Sequence, residues 1–311
     1  MPGILLDPDA AALAAALAGA PTMRVRGINA VRQTLESVPR PPELPVMAAT
    51  EDHVTADGIA VRVHRPVLDE ELPVIVYLHG GGMCMGSNDS FEPVARYLAH
   101  DSGAVVVAVE YRLAPEHPPS AQFDDAWAAT CWVADHATTF GVDPARVAVA
   151  GDSAGGTLAA AVALAARDRG GPAIACQVLI YPGLDRDMTV DSMTRFADAP
   201  ILSSDDVRYL NELADAGQGP PDHPYRIPAY ATDLTGLPPA IVVTAECDPI
   251  RDWGERYAAR LREARVQTTH TRYPGLLHGF ALQAGYLARG RLALAETGAL
   301  LKTKLAHPLP F

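Results

Sequence analysis

The chain has 311 residues, enough for one large α/β domain with a substantial core or for two small ones. Its 49% hydrophobic and 20% charged residues exclude a disordered polypeptide. The net charge of −12, from 25 basic and 37 acidic residues, repels phosphate backbones, so nucleic acid is not an expected partner.

From the N-terminus, two helices are predicted near Pro8–Ala18 and Met23–Val38, ending in the proline-rich stretch Pro39–Pro45. The alanine-rich segment Ala10–Ala20 follows Asp7 and Asp9 and is short for a span, and no stretch approaches about 20 uniformly apolar residues. No basic region precedes a long apolar run, so the expectation is a soluble, cytoplasmic protein without stable membrane association. Four cysteines without a CxxC pair or a Cys/His cluster fit free thiols in a reducing compartment, with no metal site. The segments Glu51–Thr55 and Ile59–His64 flank Asp57-Gly58 and predict a β-hairpin.

Short apolar runs then alternate with helical patterns. The runs are Val74–Leu78, Val105–Val109, Val147–Ala150, Gln177–Tyr181, Ile241–Thr244 and Thr268–Tyr273. Helices are predicted near Phe91–His100, Ser120–Ala137, Ala154–Asp168 and Arg251–Glu263. Parallel strands need helical crossovers, so the alternation predicts an α/β fold: a mostly parallel central sheet with helices on both faces. The interval between Pro182 and Leu237 is too long for a simple crossover and contains a helix start at Ser203/Ser204. The expected organisation is N-terminal cap helices over residues 1–45 and a catalytic domain over 46–311. Residues 183–237 are expected as a cap insertion that lies, with the N-terminal helices, over the ligand crevice as a lid.

Gly151-Asp152-Ser153-Ala154-Gly155-Gly156 stands between the run Val147–Ala150 and an alanine-rich helix. A serine at the tip of such a strand–turn–helix adopts a strained backbone, and its crowded flanks call for glycine. The turn lifts the Ser153 hydroxyl clear of the sheet and aims the helix N-terminus at a reacting carbonyl, which marks Ser153 as a nucleophile. After Val74–Leu78 come His79-Gly80-Gly81-Gly82. Three glycines there suit a backbone that must approach a substrate, and acyl transfer needs preorganised N–H donors for its oxyanion. Gly80 and Gly81 are assigned as those donors, with the N–H of Ala154 as the third; the loop resembles the HGGG-type loop of lipases and esterases. A phosphate-binding loop is the weaker alternative, because no Lys-Ser/Thr follows and G-x-G-x-x-G is absent. His79 is expected to anchor the loop.

A serine nucleophile needs a base, and the base needs an orienting acid. His278 follows the last apolar run across Pro274-Gly275-Leu276-Leu277, read as a loop, at the same sheet edge as Ser153. Asp248, after Ile241–Thr244, is assigned as the acid on the chain order Ser, Asp, His and on the resemblance below; Asp185 is its rival.

Taken together, His79–Gly82, Gly151–Gly156, Asp248-Pro249 with Arg251-Asp252, and His278-Gly279-Phe280 make the chain similar to the bacterial hormone-sensitive-lipase-like esterases of the α/β-hydrolase superfamily. Tyr111–His117 also matches, as a stretch expected to wall the site or fix a loop. The resemblance covers about residue 45 to the C-terminus. It implies the α/β-hydrolase fold with a helical cap, hydrolysis of short- to medium-chain esters of small molecules, and no cofactor; relatives often form homodimers. Trp253 departs from the pattern, where relatives commonly carry an acidic residue, and is expected to pack internally or alter a surface or dimer contact. Amide hydrolysis by the same triad and a ligand receptor of the same fold are the alternatives to an esterase; retention of Ser153, Asp248 and His278 argues against the receptor.

Overall fold

The structure is a computed structural model and describes residues 5–68, 71–216 and 223–308. Residues 1–4 of the expected N-terminal cap, 217–222 of the expected insertion, and 69–70 and 309–311 of the expected catalytic domain therefore lie outside the described residues. The chain opens with helices α1 (Pro8–Ala16), α2 (Met23–Arg26) and α3 (Ile28–Glu36). The single helix expected over Met23–Val38 is two, because Gly27, at φ +77° and ψ 148°, leaves the helical region between them.

The hairpin forms as expected from β1 (Ala49–Val54) and β2 (Ala60–Arg65), paired antiparallel. There follow β3 (Leu72–Leu78), α4 (Glu92–Ser102), β4 (Val105–Glu110), α5 (Ala121–Asp135), β5 (Val142–Asp152), α6 (Ala154–Arg169) and β6 (Cys176–Ile180). After α7 (Asp191–Arg195), α8 (Ser204–Ala214) and a 3₁₀ turn at Pro228–Tyr230, the chain completes β7 (Ala240–Cys247), α9 (Arg251–Glu263), β8 (Thr268–Leu277) and α10 (Ala288–Ala306). The eight strands form one sheet in the order β1-β2-β4-β3-β5-β6-β7-β8, with β3 to β8 all parallel.

Side-chain alternation along the strands sorts the core into two layers. On β3, Val74, Val76 and Leu78 pack with Phe123 of α5, Leu158 of α6 and Leu261 of α9. Ile75 and Tyr77 point the other way, against Leu98 of α4 and Leu294 of α10. Strands buried on both faces need apolar residues throughout, which is why these runs lack an alternating pattern.

Two elements depart from the sequence expectation. Residues Pro274–Leu277, read as a loop, continue β8: the β7–β8 register shifts between Ala245 and Cys247, and Cys247 then pairs with Leu277. This irregularity carries β8 to within one residue of His278. Helix α10 was not expected, since its buried face includes small and polar residues, Gly290, Ala293, Thr297 and Gly298, and gives no strong apolar stripe.

Helix α8 begins where expected, with a reciprocal cap: the Ser203 hydroxyl accepts from the Asp206 N–H, and the Asp206 carboxylate accepts from the Ser203 N–H. The same Asp206 carboxylate accepts the Met23 N–H at 2.7 Å, and Arg24 forms a two-pronged pair with Glu212 at 2.8 and 2.9 Å. These contacts seat the N-terminal helices on α8.

Candidate active site

Strand β5 ends at Asp152 and α6 starts at Ala154, leaving Ser153 between them at φ +53° and ψ −117°. That backbone state is unfavourable for a residue with a side chain and persists only where its surroundings enforce it. The Ser153 N–H donates to the Ile180 carbonyl at 2.8 Å, and the Ser153 carbonyl accepts from Gly183 at 3.1 Å and Thr157 at 3.2 Å. The flanking glycines are required by close approach. A Cβ at Gly155 would stand 1.8 Å from the Leu78 carbonyl oxygen, and one at Gly151 would stand 2.2 Å from the Gly155 carbonyl. Without them α6 could not abut the end of β3, and the loop after β3 could not reach Ser153.

The hydroxyl of Ser153 lies 2.9 Å from Nε2 of His278, and Nδ1 of His278 lies 2.7 Å from Oδ2 of Asp248. A carboxylate only accepts, so Nδ1 carries the proton and the Nε2 lone pair faces the serine hydroxyl. The other Asp248 oxygen accepts the Ile250 N–H at 2.9 Å, and Asp248 is fully buried. The Tyr181 ring packs on His278, their centroids 4.8 Å apart. Asp185, the rival acid, turns back on its own loop and accepts the N–H groups of Arg186 and Asp187 at 2.7 and 3.3 Å. The fold therefore brings Asp248, and not Asp185, to His278.

The glycine loop is anchored from beneath. His79 is buried, its ring stacked 4.2 Å from Tyr111 and 5.2 Å from Phe91, and burial pushes its pKa down to about 4. The Tyr111 hydroxyl donates to the His79 carbonyl at 2.7 Å, which gives the Tyr111–His117 stretch its place as the brace of this loop. Buried Asp152, beside the serine, accepts from the Tyr77 hydroxyl at 2.7 Å, the Tyr181 hydroxyl at 3.2 Å and the Gly80 N–H at 3.0 Å. Burial raises this carboxyl to about 6, against the hydrogen bonds that lower it. The Gly80 N–H is thus committed to Asp152, which corrects its assignment as an oxyanion donor. Among the described residues, the N–H groups of Gly81, Gly82 and Ala154 have no hydrogen-bond partner.

A family profile described as the alpha/beta hydrolase fold matches residues 75–282. The chain belongs to this family, in its hormone-sensitive-lipase-like branch. The α/β-hydrolase is 45% identical over 262 residues to the carboxylesterase NlhH of Mycobacterium tuberculosis, covering 82% of each chain. To the esterase LipI of the same organism it is 43% identical over 270 residues, covering 83% of each. The solved hyperthermophilic esterase from the archaeon Pyrobaculum calidifontis superposes with a TM-score of 0.89 at 39% identity, covering 96% of this chain and 99% of that one.

In this hydrolase a cavity of about 80 Å³, partly open to solvent, is bordered by Gly82, Ser153, Ala154, Leu210, Ile250 and Trp253. Trp253 is 3% exposed and its Nε1 donates to the Asp187 carbonyl at 2.8 Å, so this departure from the family pattern forms the wall of the cavity and not an outer surface. Arg186 and Arg226 also border the cavity. Neither carries a sequence signal, because both lie in the long interval between β6 and β7, whose path over the site only the folded chain defines. The four cysteines are unpaired. Among the described residues, no group of three or more His, Cys, Asp or Glu could hold a metal, and no helix is long and apolar enough to cross a membrane.

Proposed function

We propose that this chain is a serine carboxylesterase that hydrolyses short- to medium-chain acyl esters of small molecules by two-step acyl transfer. The observation that carries the reading is the continuous relay from Ser153 through His278 to Asp248, at 2.9 and 2.7 Å. Its relatives named carboxylesterase and esterase support it. Ser153 attacks the ester carbonyl while Nε2 of His278 takes its proton; Asp248 holds the ring and stabilises the imidazolium. The developing oxyanion is held by the N–H groups of Gly81, Gly82 and Ala154, the last also bringing the positive end of α6. His278 then protonates the leaving alcohol, and water, activated by the same imidazole, releases the acid.

The helices before residue 45 and the segment 183–237 act as the cap over this cavity, a role supported by the contacts of Met23 and Arg24 with α8. The test is hydrolysis of p-nitrophenyl esters from acetate to palmitate by the native chain and by Ser153→Ala. Activity should peak at short chains, and loss of the nucleophile should lower kcat on the order of 10⁶-fold. A folded native protein inert toward every chain length would overturn the esterase reading.

A further inference from the structure

Two of the residues that border the Ser153 cavity are arginines, and among the described residues their two charges share a single carboxylate. Arg186 and Arg226 both approach a single carboxylate oxygen, Oδ1 of Asp215, at 3.3 and 3.0 Å. Among the described residues this is the only hydrogen bond that either guanidinium makes, although each carries five N–H donors. Among the described residues, two cations against one buried anion leave an excess of positive charge on the cavity wall. Burial also disfavours both charges, lowering both arginines from their usual range, yet a guanidinium does not shed its proton at neutral pH.

The same two arginines, with Met83 and Ala214, border a second, small recess of about 30 Å³ that adjoins the first. Its wall includes Gln122, which is 3% exposed and whose Nε2 has no partner among the described residues. A buried amide donor without an acceptor is costly unless something else supplies one. The recess thus gathers three side chains whose unused groups are donors. A planar acceptor with negative charge satisfies such a set, and guanidinium groups recognise a carboxylate two-pronged.

We infer that the substrates of this site are esters bearing a free carboxylate remote from the scissile bond, read by Arg186, Arg226 and Gln122 while Ser153 attacks the ester. The inference rests on the esterase reading above and names the substrate class for the same site. Asp215 is the internal competitor: it holds the two guanidiniums in place and partly offsets their charge when no substrate is bound.

The experiment compares carboxylate-bearing esters with neutral esters matched in length, followed by pH-stat. One arm places the carboxylate on the acyl side, as monoethyl esters of dicarboxylic acids from succinate to suberate against ethyl alkanoates. The other places it on the alcohol side, as acetates of ω-hydroxy acids against acetates of plain alcohols. The expected result is a preference in kcat/KM of about tenfold or more for the anionic member in one arm, expressed mainly in KM, as the loss of a charged hydrogen bond implies. Arg226→Gln and Arg186→Gln should each reduce that preference about tenfold. Asp215→Asn, which keeps the side-chain shape and removes the competing charge, should increase it. Neutral esters hydrolysed with no anionic preference in either arm, or a preference untouched by all three substitutions, would overturn the inference and leave the esterase reading standing. Failure to hydrolyse any ester in either arm would instead remove the esterase reading, and the inference with it.

Discussion

Asp152 is the residue on which nucleophile and glycine loop meet. Its side chain collects three donors, from Tyr77, Tyr181 and Gly80, directly beside Ser153. Fixing the Gly80 N–H orients the next two peptide groups, those proposed to hold the oxyanion. An Asp152→Asn side chain keeps the size and one acceptor oxygen but replaces the other with an NH₂, so the donors from Tyr77, Tyr181 and Gly80 compete for a single oxygen. Steady-state kinetics should show kcat lowered on the order of 10-fold or more with a smaller change in KM, since a misplaced oxyanion donor matters in the transition state. A variant with native kcat would remove Asp152 from the positioning of this loop. In the sequence, Asp152 stands out only as the neighbour of the serine; its partners lie on β3, in the loop after it and just beyond β6, so nothing local in the motif shows them.

At the scale of elements, Arg32 makes the largest set of hydrogen bonds between α3 and the loops around the site, beside the Ser87 hydroxyl that donates to Glu36 at 3.0 Å. Arg32 donates from Nε to the Cys84 carbonyl at 2.7 Å, from Nη2 to the Ala114 carbonyl at 2.8 Å, and pairs with Glu116 at 2.7 and 2.8 Å. It thereby ties an N-terminal helix to the loop after β3 and to the stretch that follows β4. The ion pair is partly exposed and contributes little, whereas the two carbonyl bonds are partly buried and charge-assisted, about 1.5–3 kcal/mol each. Arg32→Ala should leave the sheet intact but make the N-terminal helices markedly more sensitive to limited proteolysis, with a loss of esterase activity. Unchanged cleavage kinetics would show that the contacts of Met23, Arg24 and Glu36 suffice to hold these helices. Element positions were legible where apolar runs and caps marked them, as at β3, β5 and the start of α8. They were not legible where a glycine's positive φ divided α2 from α3, or where a register shift turned an apparent loop into the end of β8.

For the whole molecule, buried imidazoles set the acid side of stability. Burial holds His64 and His79 down to about 4, against an ordinary value of 6.5. The unfolded chain therefore takes up protons at these histidines before the folded one does. Their contribution to stability is complete above pH 6.5 and is lost as the pH falls toward 4. Asp152 acts in the opposite sense, since its raised pKa lets the folded state bind a proton first between 3.8 and about 6. His270 is lowered by burial in the same sense and Glu110 is raised in the opposite one, so three histidines against two carboxyls leave a net loss. Scanning calorimetry should find Tm falling between about pH 7 and pH 5, and falling less in His64→Asn, whose side chain does not titrate. An equal fall in both proteins would show that His64 plays no part in acid sensitivity.

Read alone, the chain specifies the class of fold and points to the proposed nucleophile, base and acid. It could do so because each is encoded locally: apolar runs alternating with helical segments, glycines packed around one serine, and Asp248 and His278 just beyond strand ends. The tertiary structure decided which carboxylate faces His278, and which glycine N–H groups remain free once Asp152 has taken that of Gly80. It also decided that Arg186, Arg226 and Gln122 meet around one recess. Those outcomes depend on hydrogen bonds and charges between residues far apart in the chain, and no spacing or local pattern specifies them until the strands are in register and the long segment after β6 has folded back over the sheet.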